Sequence, residues 1–443
     1  MAPALRRLPL EWALLVALPL TIVATAASAT WSADVRSVAQ PLRALGLLTV
    51  ALLAVGVAAT RRAFRLDSVV ACCATVLLAM AAASTLWSVN PVHTLERVAG
   101  FGLVVVAAAA ISAAFAGDPG GTRRLLLAIV GGAVAVALIG LAIAAISPDS
   151  AVQAATASVG ERFRGLGQNP NTTAMLFAVA FPLAALWLVE ARRPAKPLAL
   201  AAVLLLGGSI IASASRGAAA AACLGLLVVA VAAPVRPAFR AAAVVGVALV
   251  ALAAASVTAV SPPLSQAEVA QAAREHRYPV GSTERRTPND AQYVVRLEDE
   301  IGYSSGTPNG RSRFSTSGRV EAWRGALRQA ADRPVAGYGF GTEERVFVDR
   351  YQSFQGGVPE NSFIGLLLQL GVVGLTVFVV LLGAVVAAAI RLFRREPTLV
   401  AAALGVVAAA LVLSFVQSYL YIAGNTATLA VWVAALLPGG RTE

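Results

Sequence analysis

Hydrophobic positions in this chain come in long unbroken runs rather than in alternation. The runs fall at 13–29, 44–59, 69–87, 99–116, 125–146, 174–188, 198–214, 218–233, 241–260, 363–390, 399–419 and 422–437. Each comes close to the about 20 residues that a helix needs to cross a hydrocarbon core. They are too long and too uniformly apolar for barrel strands, and lipid offers no partner to an unpaired backbone group, so the runs predict helices. One interruption is long and polar. The expected fold is therefore an all-α polytopic membrane protein with about twelve transmembrane helices. Residues 1–260 form an N-terminal membrane domain, 261–362 one long loop containing short helices, and 363–443 a C-terminal membrane domain.

Composition agrees. The chain is 58% hydrophobic and 13% charged, too little polar surface for soluble domains of this length. Its net charge of +12 raises the question of nucleic acid, and the distribution answers it. Residues 261–360 hold 13 Arg and 13 acidic residues, so the long loop is neutral and the excess sits in short connectors. One alternate set of connectors, including Arg61, Arg62, Arg123, Arg124, Arg192, Arg193, Arg391 and Arg394, carries 16 positive charges. The opposite short connectors carry 6. That bias predicts both termini in the cytoplasm and the loop outside, and it is not the footprint of a phosphate-backbone groove. Arg6, Arg7 and the later Ala27-Ser28-Ala29 resemble a cleavable signal peptide, but a retained first helix gives the consistent topology. Cys72, Cys73 and Cys223 lie inside apolar runs with no disulfide or metal spacing, and His93 and His276 are too scattered for a metal site.

Within the loop, 261–314 reads as a solvated excursion without assignable chemistry. The pattern changes at Ser317, a plausible N-cap. Val320, Trp323, Leu327 and Ala330 then follow helical spacing, and Asp332-Arg333-Pro334 ends the helix. Its apolar face is expected on the membrane domain or in the interface, with Trp323 as an anchor. The glycines of Gly337-Tyr338-Gly339-Phe340-Gly341 suggest a tight turn where backbone approaches something closely. Pro359-Glu360-Asn361-Ser362 then leads into the next apolar run, where the carboxylate and amide suit either a helix cap or a site.

Six arginines stand on the disfavoured side: Arg36, Arg43, Arg97, Arg162, Arg164 and Arg216. Arg36 and Arg43 read as helix flanks. The other four sit at apolar ends, where a guanidinium either snorkels or is used, and as a group beside the long loop they look like an anion site.

These features together resemble the O-antigen ligase and O-antigen polymerase superfamily. The resemblance runs in order along most of the chain. It rests on Leu86-Trp87-Ser88 with Pro91 and Leu95-Glu96-Arg97, then Arg164-Gly165-Leu166-Gly167-Gln168-Asn169-Pro170-Asn171, then Ser213-Ala214-Ser215-Arg216-Gly217. It continues with Gly318-Arg319, Trp323, Pro334 and Gly337-Tyr338-Gly339, and ends at Glu360-Asn361 followed by Leu370-Gly371 and Gly374.

The resemblance implies glycan transfer at the outer face of a bacterial cytoplasmic membrane. The donor would be a glycan on undecaprenyl pyrophosphate and the acceptor a glycan or lipid-linked hydroxyl, with no nucleic acid partner, cofactor or metal. Such a reaction releases a multiply charged anion, which arginines hold bidentately. Arg216 and Arg319 match the family's functional arginines and are expected at the pyrophosphate, with Arg162, Arg164 and Arg97 assisting. Asn169, Asn171 and Asn361 either bind sugar hydroxyls or cap helices, with the cap favoured for Asn171. The acceptor hydroxyl must lose a proton as it attacks. Ligases carry His-Asn at the loop's return, whereas this chain has Glu360-Asn361; a carboxylate can act as base, and the change tilts the reading from ligase toward polymerase. The rival from another class is a transporter or flippase of a lipid-linked glycan. It would need ionisable residues near the bilayer midplane, and the apolar runs hold almost none.

Overall fold

The computed structural model describes residues 8–30, 32–61, 66–153, 161–167, 169–257, 319–347 and 358–440. The expected polar excursion 261–314, the Ser317 cap, His276, and the connector charges Arg6, Arg7, Arg62, Arg65 and Arg441 lie outside the described residues.

Apolar runs form helices, apart from the stretch after residue 414. In chain order these are α1 (Leu8–Ser28), α2 (Ala33–Arg61), α3 (Ser68–Ala83), α4 (Pro91–Ala114), α5 (Pro119–Ile146), α6 (Pro170–Glu190), α7 (Lys196–Ala212), α8 (Arg216–Ala232) and α9 (Pro237–Val257). The loop contributes α10 (Arg319–Asp332) and the single turn α11 (Glu343–Val346), and the chain continues with α12 (Ser362–Leu392), α13 (Pro397–Ser414) and α14 (Thr428–Leu436). Among the described residues, nine helices are long and apolar enough to cross a membrane; those at Arg216–Ala232, Pro237–Val250 and Thr428–Gly440 are shorter. Several helices start well before their apolar runs because Asx-Pro steps set the first turn. Asn90, Asp118 and Asn169 cap α4, α5 and α6 through their side-chain oxygens, each followed by Pro at the first helical position.

Helix α6 is central, with 78% of its span buried, whereas only 28% of the Ser68–Leu86 span is covered by protein. Large apolar side chains such as Leu20, Leu52, Leu204 and Leu252 stand exposed on the bundle's outside, as lipid-facing positions require. Inside, small residues let backbones meet. A Cβ on Gly225 of α8 would lie 2.8 Å from the Gly405 carbonyl oxygen of α13.

The bundle has two chemically different ends. At one, connector arginines find carboxylates: Arg61 pairs with Glu11 and, at 3.2 Å, with Asp118; Arg391 pairs with Asp67; Arg123 lies 3.5 Å from Glu190. At the other, the starts of α4, α6, α8 and α12 meet the loop elements.

Two expectations are corrected here. The run 399–419 does not stay helical. Helix α13 stops at Ser414, and 415–427 is irregular although Tyr419, Leu420 and Tyr421 are buried. Irregular backbone is tolerated where protein, not lipid, supplies its partners. Here Asn361 N–H donates to Ser418 Oγ at 3.1 Å, Ser362 Oγ to the Gln417 carbonyl at 2.8 Å, and Tyr419 N–H to Ser362 Oγ at 3.1 Å. The face of α10 is also rotated from expectation. Ala322, Ala326 and Ala330 are buried and Leu327 is 47% exposed, because small side chains allow close seating on α12. Trp323 donates from Nε1–H to the Pro359 carbonyl at 2.9 Å.

The glycine turn does approach backbone closely. Helix α12 breaks at Gly371, whose φ of 64° and ψ of −168° suit only glycine. Carbonyls freed near the break accept from the loop: Tyr338 N–H donates to Leu368 O and Gly339 N–H to Gln369 O, both at 2.9 Å. In return Val372 N–H donates to Pro334 O at 2.8 Å. A Cβ on Gly337 would sit 2.5 Å from the Gln369 carbonyl carbon, and one on Gly371 would sit 2.2 Å from that of Val335.

Candidate active site at the loop-bearing end

The two positive-φ residues other than glycine among those described are Ala214 (φ 48°) and Glu360 (φ 51°). Such backbone costs about 1–3 kcal/mol and persists only where its surroundings hold it. Both lie at turns that deliver charged side chains to one place.

The first turn joins α7 to α8. Ser213 Oγ accepts from Ser215 N–H at 3.2 Å and itself donates to the Ile210 carbonyl. Arg162, a buried residue of the short hairpin formed by β1 (Val152–Gln153) and β2 (Arg162–Phe163), donates from Nε to the Ser213 carbonyl at 2.8 Å. Its other arm reaches Asn171 Oδ1 at 2.5 Å. The turn thus set, Arg216 opens α8.

The second turn precedes α12. Asn361 caps the helix, its Oδ1 accepting from Phe363 and Ile364 N–H at 3.0 and 3.1 Å, and its Nδ2 donates to the Phe415 carbonyl. Glu360 is thereby aimed at α10, where its Oε2 lies 2.5 Å from an Arg319 terminal nitrogen; both side chains are 17% exposed. Arg319 Nε is buried without a hydrogen-bond partner among the described residues. Burial lowers the pKa of Arg216 from its ordinary value, and the nearby Arg319 charge lowers it further. Guanidinium groups so placed suit bidentate contact with an anion.

The other sequence candidates take different places. Arg164 donates from Nε and a terminal nitrogen to the Ser150 and Asp149 carbonyls at 3.1 and 2.8 Å, closing the turn before the hairpin. The cap expected at Asn171 belongs to Asn169, which accepts from Asn171 N–H at 2.8 Å; Asn171 holds Arg162 instead. Arg97 packs on Gly341, donates to His93 Nε2 at 3.2 Å and lies 3.8 Å from Glu344. It therefore faces α11.

Sequence reasoning missed Glu343. This loop carboxylate is only 3% exposed. Its Oε1 accepts from Ser418 Oγ at 2.5 Å, and its Oε2 accepts from Tyr421 Oη at 2.8 Å and Gln369 Nε2 at 3.1 Å. Burial pushes its pKa up to about 7 against the three hydrogen bonds, with the neighbouring Glu344 charge adding to the rise. The signal available was a carboxylate flanked closely by Phe340, Val346 and Phe347.

Fold and site together describe a multi-pass helical membrane protein with an arginine–carboxylate pair, near a second arginine, where its loop returns to the bundle. Residues 200–379 match the family model described as O-antigen ligase, which supports membership of the O-antigen ligase and O-antigen polymerase superfamily. The match takes in the Arg216 turn, α10, the glycine turn and the Glu360-Asn361 step. No curated protein matches the chain.

Proposed function

We propose that the protein is a membrane glycosyltransferase that moves a glycan from undecaprenyl pyrophosphate to an acceptor hydroxyl at the outer face of the cytoplasmic membrane. The observation that carries this reading is the Arg319–Glu360 ion pair set near Arg216.

The chemistry follows from what each group can do. The acceptor oxygen attacks the anomeric carbon while its proton passes to Glu360. The bond from that carbon to the pyrophosphate oxygen breaks, and its electron pair leaves with the diphosphate, which Arg216 and Arg319 hold. An arriving diphosphate competes with Glu360 for Arg319 and frees the carboxylate for the acceptor. The unpartnered Arg319 Nε–H is a donor still to be satisfied. Attack opposite the leaving diphosphate inverts the anomeric centre. The step is metal-independent in this reading, so transfer by the purified protein survives a chelator; loss on chelation and return on adding a divalent cation contradicts it.

Arg162 serves the site through the Ser213 turn, Arg164 and Asn169 through the segment leading into α6, and Asn361 through the α12 cap. Arg97 lies farther along the same end, where it is available to the acceptor. The 16-to-6 bias of connector charge supports cytoplasmic termini and an outward site. Glu360-Asn361 in place of His-Asn favours a polymerase of surface polysaccharide over a ligase. Deleting the gene tests the whole reading. Single repeats accumulating on the lipid carrier are expected, finished polymer on the carrier makes the protein a ligase, and an unchanged carrier pool ends the proposal.

A further inference from the structure

We propose that Glu343 is a positioning residue for this transfer, holding the Glu360 turn in place through Ser418. The inference rests on the reading of Glu360 as the base.

The connection is a two-step relay. Asn361 N–H donates to Ser418 Oγ at 3.1 Å, and Ser418 Oγ donates to Glu343 Oε1 at 2.5 Å. The amide at the head of this relay belongs to the peptide bond that follows Glu360. Glu360 has a left-handed φ of 51°, a conformation an L side chain does not hold unaided. Trp323 holds the preceding carbonyl, that of Pro359, from the opposite side. The strained residue is therefore gripped by both flanking peptide groups, one from the loop helix and one from the buried carboxylate.

The direction of the relay is fixed by its partners. Gln369 Oε1 accepts from Gly341 N–H at 2.7 Å, so its amide nitrogen must face Glu343. Ser418 Oγ already accepts from Asn361, which leaves its own proton for Glu343. With Tyr421, the carboxylate accepts from three donors. A buried carboxylate with that complement rigidifies what it touches, and removing one donor or the charge leaves the others mismatched. No space exists for the group to move: a Cβ on Gly365 would lie 2.4 Å from Glu343 Oε1 and 2.2 Å from Tyr421 Oη.

The experiment uses the full-length protein in proteoliposomes, with lipid-linked glycan extracted from a strain lacking the gene as donor. Ser418→Ala cuts the relay without burying a new charge. It is expected to lower kcat at least tenfold with KM for the extracted donor unchanged within twofold, since Arg216 and Arg319 still bind the diphosphate. Ser418→Thr keeps the hydroxyl and restores most of kcat, which a packing defect does not explain. Glu343→Gln reproduces the loss, and combining it with Ser418→Ala adds less than twofold; if it does not fold, Ser418→Ala and its Thr rescue decide alone. A wild-type kcat in Ser418→Ala, or equal losses in kcat and donor affinity, overturns the proposal. Glu360→Gln is measured alongside. If it is inactive while Ser418→Ala is normal, only the positioning role falls; if it is fully active, the base assignment falls first and the positioning role with it.

Discussion

Glu360 and Glu343 stand at the same end of the bundle under opposite conditions. Glu360 is partly exposed, sits on strained backbone, and has a cationic partner in Arg319 that the proposed diphosphate would compete for. Glu343 is sealed, sits in a regular helical turn, and accepts three hydrogen bonds from neutral donors. A carboxylate that must exchange partners during a reaction needs the first setting, whereas one that must not move needs the second. The two meet at Ser418, so the fixed one can brace the changeable one.

Experiments can strain this contrast from its strongest point downward. Removing the exchangeable carboxylate should hurt most: Glu360→Gln is expected to lower kcat by about 10²–10⁴-fold, the usual worth of a positioned acid–base group, with donor binding largely kept. An equal loss of donor binding, read from single-turnover and equilibrium measurements, would make Glu360 a cap and dissolve the contrast. Arg216→Ala should cost about 10²–10³-fold in transfer while membrane abundance, read by immunoblot, stays the same. Retained activity would remove Arg216 from the diphosphate.

The sealed carboxylate should announce itself in stability rather than rate. Its pKa is raised by burial to about 7 from an ordinary 4.5, so between those values the folded protein binds more protons than the unfolded chain. Stability should therefore fall as pH rises from about 4.5 to about 7 and level off above. The same thermal scans on Glu343→Gln should lose that slope; a slope equal to wild type would assign it to another group. Smallest is Asn361→Ala, expected to cost about 1 kcal/mol as a lost helix cap, measured as a modest drop in Tm. A far larger loss would show that the amide does more than close the first turn of α12.

The apolar runs were legible because lipid leaves the backbone one choice, and the order of chemical motifs along the chain was legible because charge at apolar ends is conspicuous. What the sequence hid was set by neighbours distant along it. The stretch 415–419 looks like membrane helix until Asn361 and Ser362 are seen to hydrogen-bond with Gln417, Ser418 and Tyr419. Leu327 looks like the buried side of α10, yet alanines are what fit against α12. Arg162 looks like a ligand for anions, whereas one of its arms ties off the carbonyl of Ser213. Glu343 carried no motif at all, since only the docked loop makes it an interior residue.

The interruption of α12 at Gly371 reaches beyond local geometry. Loop and membrane helix are joined there by peptide groups, so the fit between them is written in spacing rather than in side-chain identity. Exposed side chains of α10 are then free to vary, while a single inserted or deleted residue between Pro334 and Gly339 would throw the guanidinium of α10 out of step with the carboxylate waiting across from it. Specificity can drift on this scaffold; alignment cannot.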